Sequence, residues 1–277
     1  MRYRAIFLSD FHLGTRGCNA VAILNFLRDN DSRQIYLIGD IIDGWRLSQK
    51  LFWPQTHNDV VQKLLKKVKA GTRVIYTPGN HDSFLRPYIG HSFGGIEIVD
   101  EAVHTTTDGR TFLVLHGDRF DTIVQDHKWL AYIGDFSYNL MMVVNRWLMR
   151  ARHRLGYQHW SFSAYVKRRV KQAASFITKY EHALADECRR RGFDGVISGH
   201  IHTAEIRAID TVMYLNCGDT CESCTVLVED FHGNFMVLQM LEQNRPSHVY
   251  CQDGEVLTGA ACTRWFAKRA DQRHLTV

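Results

Sequence analysis

Proline is scarce, at four in 277 residues, and none falls between positions 122 and 191, so little interrupts helix formation mid-chain. No apolar run reaches the roughly 20 residues that a membrane-spanning helix needs. The charged-then-apolar pattern of a secretory signal is also missing, because the first hydrophobic run ends in Ser9-Asp10. The expectation is a cytoplasmic protein. Low-complexity tracts are absent, and seven cysteines, an odd number without regular spacing, fit a reducing compartment better than a disulfide framework. Cys217, Cys221 and Cys224 have no fourth ligand nearby and read as core and loop thiols rather than a closed zinc site. Acidic residues are missing altogether from Phe136 to Tyr180, although the net charge of the chain is only +5.

What is there begins with Ala5-Ile6-Phe7-Leu8, an apolar run of strand length that ends in Asp10-Phe11-His12. Side chains two apart on a strand share a face, so a carboxylate and an imidazole emerge together. Four more polar words follow short apolar runs: Gly39-Asp40-Ile41-Ile42-Asp43, Gly79-Asn80-His81-Asp82, His116-Gly117-Asp118 and Gly199-His200-Ile201-His202. Any one of these is common in an ordinary turn; five in order are not. Open α/β sheets build their sites at such strand ends.

Between the first words lie two amphipathic stretches, Ala20 to Asn30 and residues 55 to 69, which read as helices. The β-α-β-α-β opening predicts an α/β fold with a parallel sheet and right-handed crossovers. Residues 96 to 115, with Asp108-Gly109 between two runs, read as antiparallel, and strands resume from Asp194 to Leu241. Residues 122 to 191 read as two or three inserted helices, a cap. From Gln243 the pattern becomes a polar, aperiodic tail. The expected division is therefore 1–121 with 192–241 as the main domain, 122–191 as the cap and 242–277 as the tail.

Carboxylate, amide and imidazole donors on five loops are enough for two divalent ions. Asp40, midway in the ligand order, is the expected bridge. Asp10, His12 and His202 complete one ion, and Asn80, His116 and His200 the other. Mixed oxygen and imidazole donors suit manganese, iron or zinc better than calcium. His81, beside the Asn80 ligand, is placed to protonate a leaving oxygen, with Asp82 expected to orient its ring. Asp43 is given no metal role.

In the acid-free stretch, Arg146, Arg150, Arg152 and Arg154 interleave with Trp147, Leu148 and Met149, and Leu140, Met141, Val144 and Trp147 recur at helical spacing. A basic amphipathic helix with aromatics suits an anionic bilayer surface. The same features suit nucleic-acid phosphates, or a packed cap whose arginines meet a substrate's diphosphate.

Over residues 1 to about 241, the five words in this order resemble the calcineurin-like metallophosphoesterase superfamily. That resemblance implies a four-layer α/β/β/α sandwich and the two-metal centre just described. The insert after His116-Gly117-Asp118 and the run Gly199-His200-Ile201-His202-Thr203 resemble, within it, the UDP-2,3-diacylglucosamine pyrophosphatases of lipid A synthesis. This implies hydrolysis of an amphiphilic nucleotide-sugar lipid to UMP and diacylglucosamine 1-phosphate. It also implies two divalent ions, typically manganese, and peripheral contact with the inner face of the cytoplasmic membrane. One position departs: that family usually has arginine after the metal-binding asparagine, where this chain has His81. The rival expectations are a phosphodiesterase or nuclease, and a metal-binding scaffold without turnover.

Overall fold

Ala5 and Phe7 point to one side of β1 (Arg2–Leu8), Ile6 and Leu8 to the other, and all four are fully buried. A strand covered on both faces belongs in the middle of a sandwiched sheet. In the computed structural model, which describes residues 1–122, 162–242, 245–251 and 254–265, β1 holds that place. On one flank β2 (Asp31–Ile38), β3 (Arg73–Thr77) and β5 (Ile96–Ile98) continue in parallel, and β4 (Ser92–Phe93) closes the edge. On the other flank β11 (Thr225–Glu229), β12 (Phe235–Gln239), β13 (Arg245–Tyr250) and β14 (Val256–Thr258) are antiparallel.

A second sheet has the order β6-β7-β8-β10-β9, built from Ala102–Thr105, Thr111–Val114, Gly195–Ser198, Val212–Asn216 and, at β9, Glu205–Ile209. Its three central strands are parallel and its edge strands antiparallel. The two sheets share one core of Ala5, Phe7, Tyr36, Ile38 and Ile75 with Phe112, Val114, Ile197 and Leu215. The opposite face of the larger sheet packs on α1 (Ala20–Asp29) and α3 (Gln55–Lys69) through Ile23, Leu27, Val60 and Leu64. On the second sheet the alternate residues Leu113, Val196 and Tyr214 are also fully buried, and Leu184, Ala185 and Cys188 are buried in the last turns of α4 (Phe162–Arg190). The architecture is the expected α/β sandwich.

Local chemistry sets the helix ends. The Asn19 side-chain oxygen accepts the Ala22 N–H at 3.2 Å and caps α1. Pro54 precedes α3, and Lys66, Lys67 and Lys69 in its last turn oppose the helix dipole. Lys67 Nζ is buried and donates to Asn30 O and Asp31 Oδ1, both at 2.5 Å, fastening α3 to the start of β2.

Two expectations are corrected. β5 pairs in parallel with β3 and antiparallel only with the two-residue edge strand β4, while the Asp108-Gly109 hairpin joins β6 and β7 in the other sheet. The stretch after Gln243 is not an aperiodic tail up to residue 265: β13 and β14 extend the larger sheet, and a short helix follows over 259–265. Their sequence looks polar because an edge hairpin buries little more than Val249, Tyr250 and Cys251.

The chain forms two compact units, Met1–Asp118 with Leu184–Val277, and Arg119–Ala183. Of the inserted helices expected over 122–191, α4 is described, and residues 123–161 lie outside the described residues.

Phe7 stacks on Tyr36 at 4.9 Å between ring centroids and meets Phe235 at 6.0 Å. Phe7→Ala should therefore destabilise the fold by about 3–5 kcal/mol, the usual cost of emptying a buried aromatic site. Urea unfolding checks this, and a loss below about 1 kcal/mol would mean the sheets collapse onto the gap.

Candidate metal centre

The polar loops leave the carboxyl ends of β1, β2 and β3 in one sheet and β7 and β8 in the other, and backbone bonds lace them together. Asp10 N–H donates to Gly39 O at 3.0 Å and His12 N–H to Asp40 O at 2.9 Å. Gly199 N–H donates to His116 O at 3.3 Å. Asp10, His12, Asp40, His200 and His202 all have φ between 48° and 73°, and only Asp210 and Cys224 join them among the described residues other than glycine. Left-handed backbone costs on the order of 1–3 kcal/mol at such positions and clusters at functional sites. Gly79 serves a different need: a Cβ there would overlap Asp40 Oδ1 and the His116 ring.

Each buried carboxylate divides its two oxygens. Asp40 Oδ1 accepts the His81 N–H at 2.8 Å, leaving Oδ2 3.4 Å from His116 Nε2. Asp10 Oδ2 accepts the His200 N–H at 3.1 Å, leaving Oδ1 3.1 Å from His202 Nε2 and 4.0 Å from His12 Nε2. The imidazoles are oriented from behind. His116 Nδ1 donates to Ile38 O at 2.9 Å, and His12 Nδ1 lies 3.2 Å from Asp43 Oδ2. In both rings this directs the Nε2 lone pair toward the carboxylates.

Three donor groups among the described residues have their ligand atoms within 4.8 Å of one another: Asp10–His12–His202, Asp40–His116–His200 and His12–Asp43–His81. The first two hold the residues expected from the sequence, apart from Asn80; the third brings in Asp43, which was given no metal role. His12 Nε2 and the Asn80 side-chain oxygen are buried and make no hydrogen bond, and Asp10 Oδ1 has the His202 ring beside it. Buried polar atoms are normally satisfied, and donors on one cation at about 2.1 Å sit roughly 3 Å apart, so this set fits a pair of divalent ions.

The charges agree. Burial would raise the Asp40 carboxyl, but His116 and His81 outweigh it and hold it down at about 2. Burial likewise opposes the low value of Asp10, which His202, His116 and His12 impose. His202 shows the converse: burial would lower it, and the Asp10 carboxylate lifts it from 6.5 to about 9.

Asp43, not Asp82, orients His81. Asp43 Oδ2 lies 3.1 Å from His81 Nδ1 while Oδ1 caps α2 (Gly44–Gln49) by accepting the Arg46 N–H at 2.8 Å. Asp82 is fully buried and spends its oxygens on Ile41 N–H at 2.8 Å, Gly79 N–H at 2.5 Å and the Tyr76 hydroxyl. The expected Asp82–His81 pairing is thereby corrected: residue 82 points back into the loop it shapes. His81 packs edge-on against His12 at 4.6 Å and under the Trp45 ring at 4.2 Å.

The segment after β10 escaped the sequence reading. Asn216 Nδ2 donates to Gly199 O at 2.8 Å, ahead of His200. Thr220 donates to Asp10 O through its N–H at 3.3 Å and its hydroxyl at 3.2 Å, and Ser9 Oγ donates to Gly218 O at 2.9 Å. This loop supplies no ligand yet ties the first metal loop to the last. Its one signal was another Gly-Asp pair, Gly218-Asp219, just beyond a strand end. All seven cysteines are free thiols. Arg146, Trp147, Arg150, Arg152 and Arg154 lie outside the described residues.

The raised His202 value sets a pH dependence. With the folded pKa near 9 and the ordinary value at 6.5, the protonated ring stabilises the metal-free fold fully below 6.5 and loses that contribution as pH rises through 9. Melting temperature in excess chelator should fall over this window and stay nearly level with a divalent ion bound. A flat chelator profile would contradict the Asp10–His202 pairing.

A family model for calcineurin-like phosphoesterases matches residues 3–204. The UDP-2,3-diacylglucosamine hydrolase of Vibrio atlanticus is 22% identical over 262 residues, covering 87% of this chain and 95% of its own. That of Neisseria meningitidis serogroup B is 26% identical over 212 residues, covering 73% and 83%. Among solved structures, YfcE, a phosphoesterase from E. coli, is similar at a TM-score of 0.45 and 12% identity, over 93% of this chain and 98% of its own. The family match takes in all five metal loops, and the chain belongs to the calcineurin-like phosphoesterases, a family of phosphoester hydrolases that work with divalent metal ions.

Proposed function

We propose that this chain is a two-metal hydrolase that cleaves the pyrophosphate of UDP-2,3-diacylglucosamine, releasing UMP and diacylglucosamine 1-phosphate. The observation that carries the reading is the pair of donor groups, Asp10–His12–His202 and Asp40–His116–His200, on one rim of the sandwich. Relatives that carry the name UDP-2,3-diacylglucosamine hydrolase support the substrate. Asp40 would be shared between the two ions, Asn80 would join the second group, and manganese is the ion assigned.

Bound there, two divalent ions supply a Lewis acid for the phosphoryl oxygens and lower the pKa of an attacking water. The chain's own residues do the rest. Asp43 holds His81 by Nδ1 and turns Nε2 to within 4.0 Å of Asp40 Oδ2. Burial works against the protonated ring, but the Asp43 hydrogen bond and the Asp40 charge raise its pKa above the ordinary value. His81 donates that proton to the leaving oxygen as the P–O bond breaks. The basic residues Arg146, Arg150, Arg152 and Arg154, with Trp147, meet the diphosphate or the bilayer in this reading. No described helix is long and apolar enough to cross a membrane, in keeping with peripheral attachment at the inner face of the cytoplasmic membrane. A phosphodiesterase acting on nucleotides is the second reading, favoured by His81 standing where the lipid A enzymes carry arginine.

The test follows UMP release from acylated and unacylated UDP-glucosamine with Mn²⁺ at matched concentration. The acylated substrate should be cleaved with far higher kcat/KM. Equal efficiency on both, or turnover of nucleotide diesters alone, favours the second reading.

His81→Ala should lower kcat by about 10²–10⁴ with metal content unchanged. Asp40→Ala should release one or both ions, as elemental analysis would record. A His81→Ala enzyme with normal kcat and only a raised KM would make His81 a substrate-positioning residue.

A further inference from the structure

Beside the metal centre, residues 44–58 contain no acidic side chain, a second such stretch in the sequence besides 136–180. Within it Arg46 and Lys50 are exposed, as is Arg16 on the neighbouring loop. The same segment exposes Leu51 at 80% and Trp45 at 41%. An exposed leucine is common by itself, but this one lies between Lys50 and Phe52, five residues from Arg46. The Arg16 guanidinium lies 5.6 Å over the Phe52 ring.

The loop that carries Leu51 is fastened. Phe52 and Trp53 turn inward onto the His57 ring at 5.8 and 5.6 Å, edge-on. His57 Nδ1 in turn accepts the Gly14 N–H at 3.0 Å, two residues beyond the metal-loop residue His12. The Leu47 side chain fills the space in front of Gly14. With its neighbours anchored on the metal loop, Leu51 is held out into solvent. On the other side of the patch, Trp45 packs on His81.

We propose that residues 44–52, with Arg16, form a docking surface for an anionic phospholipid bilayer, in which Leu51 and Trp45 enter the headgroup layer and Arg16, Arg46 and Lys50 meet the lipid phosphates. Charge complementarity selects this partner. A cationic rim around protruding apolar side chains matches an anionic interface and is poorly matched to a neutral one. Docked this way, the bilayer surface lies next to His81 and the metal loops, where a lipid-linked phosphoester enters. The inference rests on the lipid-linked substrate of the proposed function.

The experiment is co-sedimentation of the full-length metal-loaded protein with vesicles of phosphatidylcholine, with and without phosphatidylglycerol, over a salt series. The wild type should bind only the anionic vesicles, less strongly as salt rises. Arg46→Glu with Lys50→Glu should lower partitioning by more than about 25-fold, from roughly fivefold per lost basic residue. Leu51→Asn should lower it by about tenfold or more, and does not depend on the doubly reversed variant folding well. Both variants should keep wild-type hydrolysis of unacylated UDP-glucosamine or of a chromogenic diester, so a failed substrate assignment stays separable from a failed docking surface. Vesicle binding unchanged in both variants would place the lipid contact elsewhere and overturn the proposal. Equal binding to neutral vesicles, or binding to duplex DNA or RNA in preference to anionic lipid, would overturn it too.

Discussion

Two carboxylates buried within one rim, Asp10 and Asp40, are the constraint on which this molecule turns. A buried anion is tolerated only when paired and hydrogen-bonded. Each of these gives one oxygen to a backbone N–H from another loop and aims the second at imidazoles. Left-handed backbone at five of the site residues follows from that demand. The side chains can converge only if the loops reverse direction within a residue or two of their strands. Inter-loop hydrogen bonds offset the strain.

The sandwich delivers those loops because parallel strands empty at one end. β1, β2 and β3 lie side by side in one sheet and β7 and β8 in the other, so their register sets where the five loops meet. A buried polar network helps hold the sheets in place. Glu229 accepts two bonds from Arg4 at 3.0 and 2.7 Å and pairs with His104 at 2.8 Å, whose other nitrogen meets the Tyr36 hydroxyl at 3.1 Å. These residues come from β1, β2, β11 and, across the sandwich, β6. Ion pairs of this kind confer geometry more than net stability.

Around the candidate metal loops the chain places residues that hold the donor side chains in position. Asp43 sets both His12 and His81, so one carboxylate couples the first metal group to the proton donor of the proposed reaction. Asn216 and Thr220 connect the His200 loop to Asp10. His57 ties the cationic and aromatic loop at 50–53 to Gly14. Surface and centre are thus joined through the same metal loop.

The candidate donor residues and their chain order were legible in the sequence alone, because each sits within a few residues of an apolar strand and period-2 patterning marks such strands. The α/β class, the helices at 20–29 and 55–69 and the hairpin at Asp108-Gly109 were legible for the same reason: their signals are local. Tertiary structure alone decided what depends on contacts distant in sequence. That Asp43 rather than the adjacent Asp82 meets His81 follows from where β2 lies against β3 and which way each loop turns. The parallel pairing of β5 and the edge hairpin of β13 and β14 come from neighbours that a short or polar strand does not announce. The support from Thr220 to Asp10 spans 210 positions. Periodicity reports which face of an element is buried; only the packed chain reports what it is buried against.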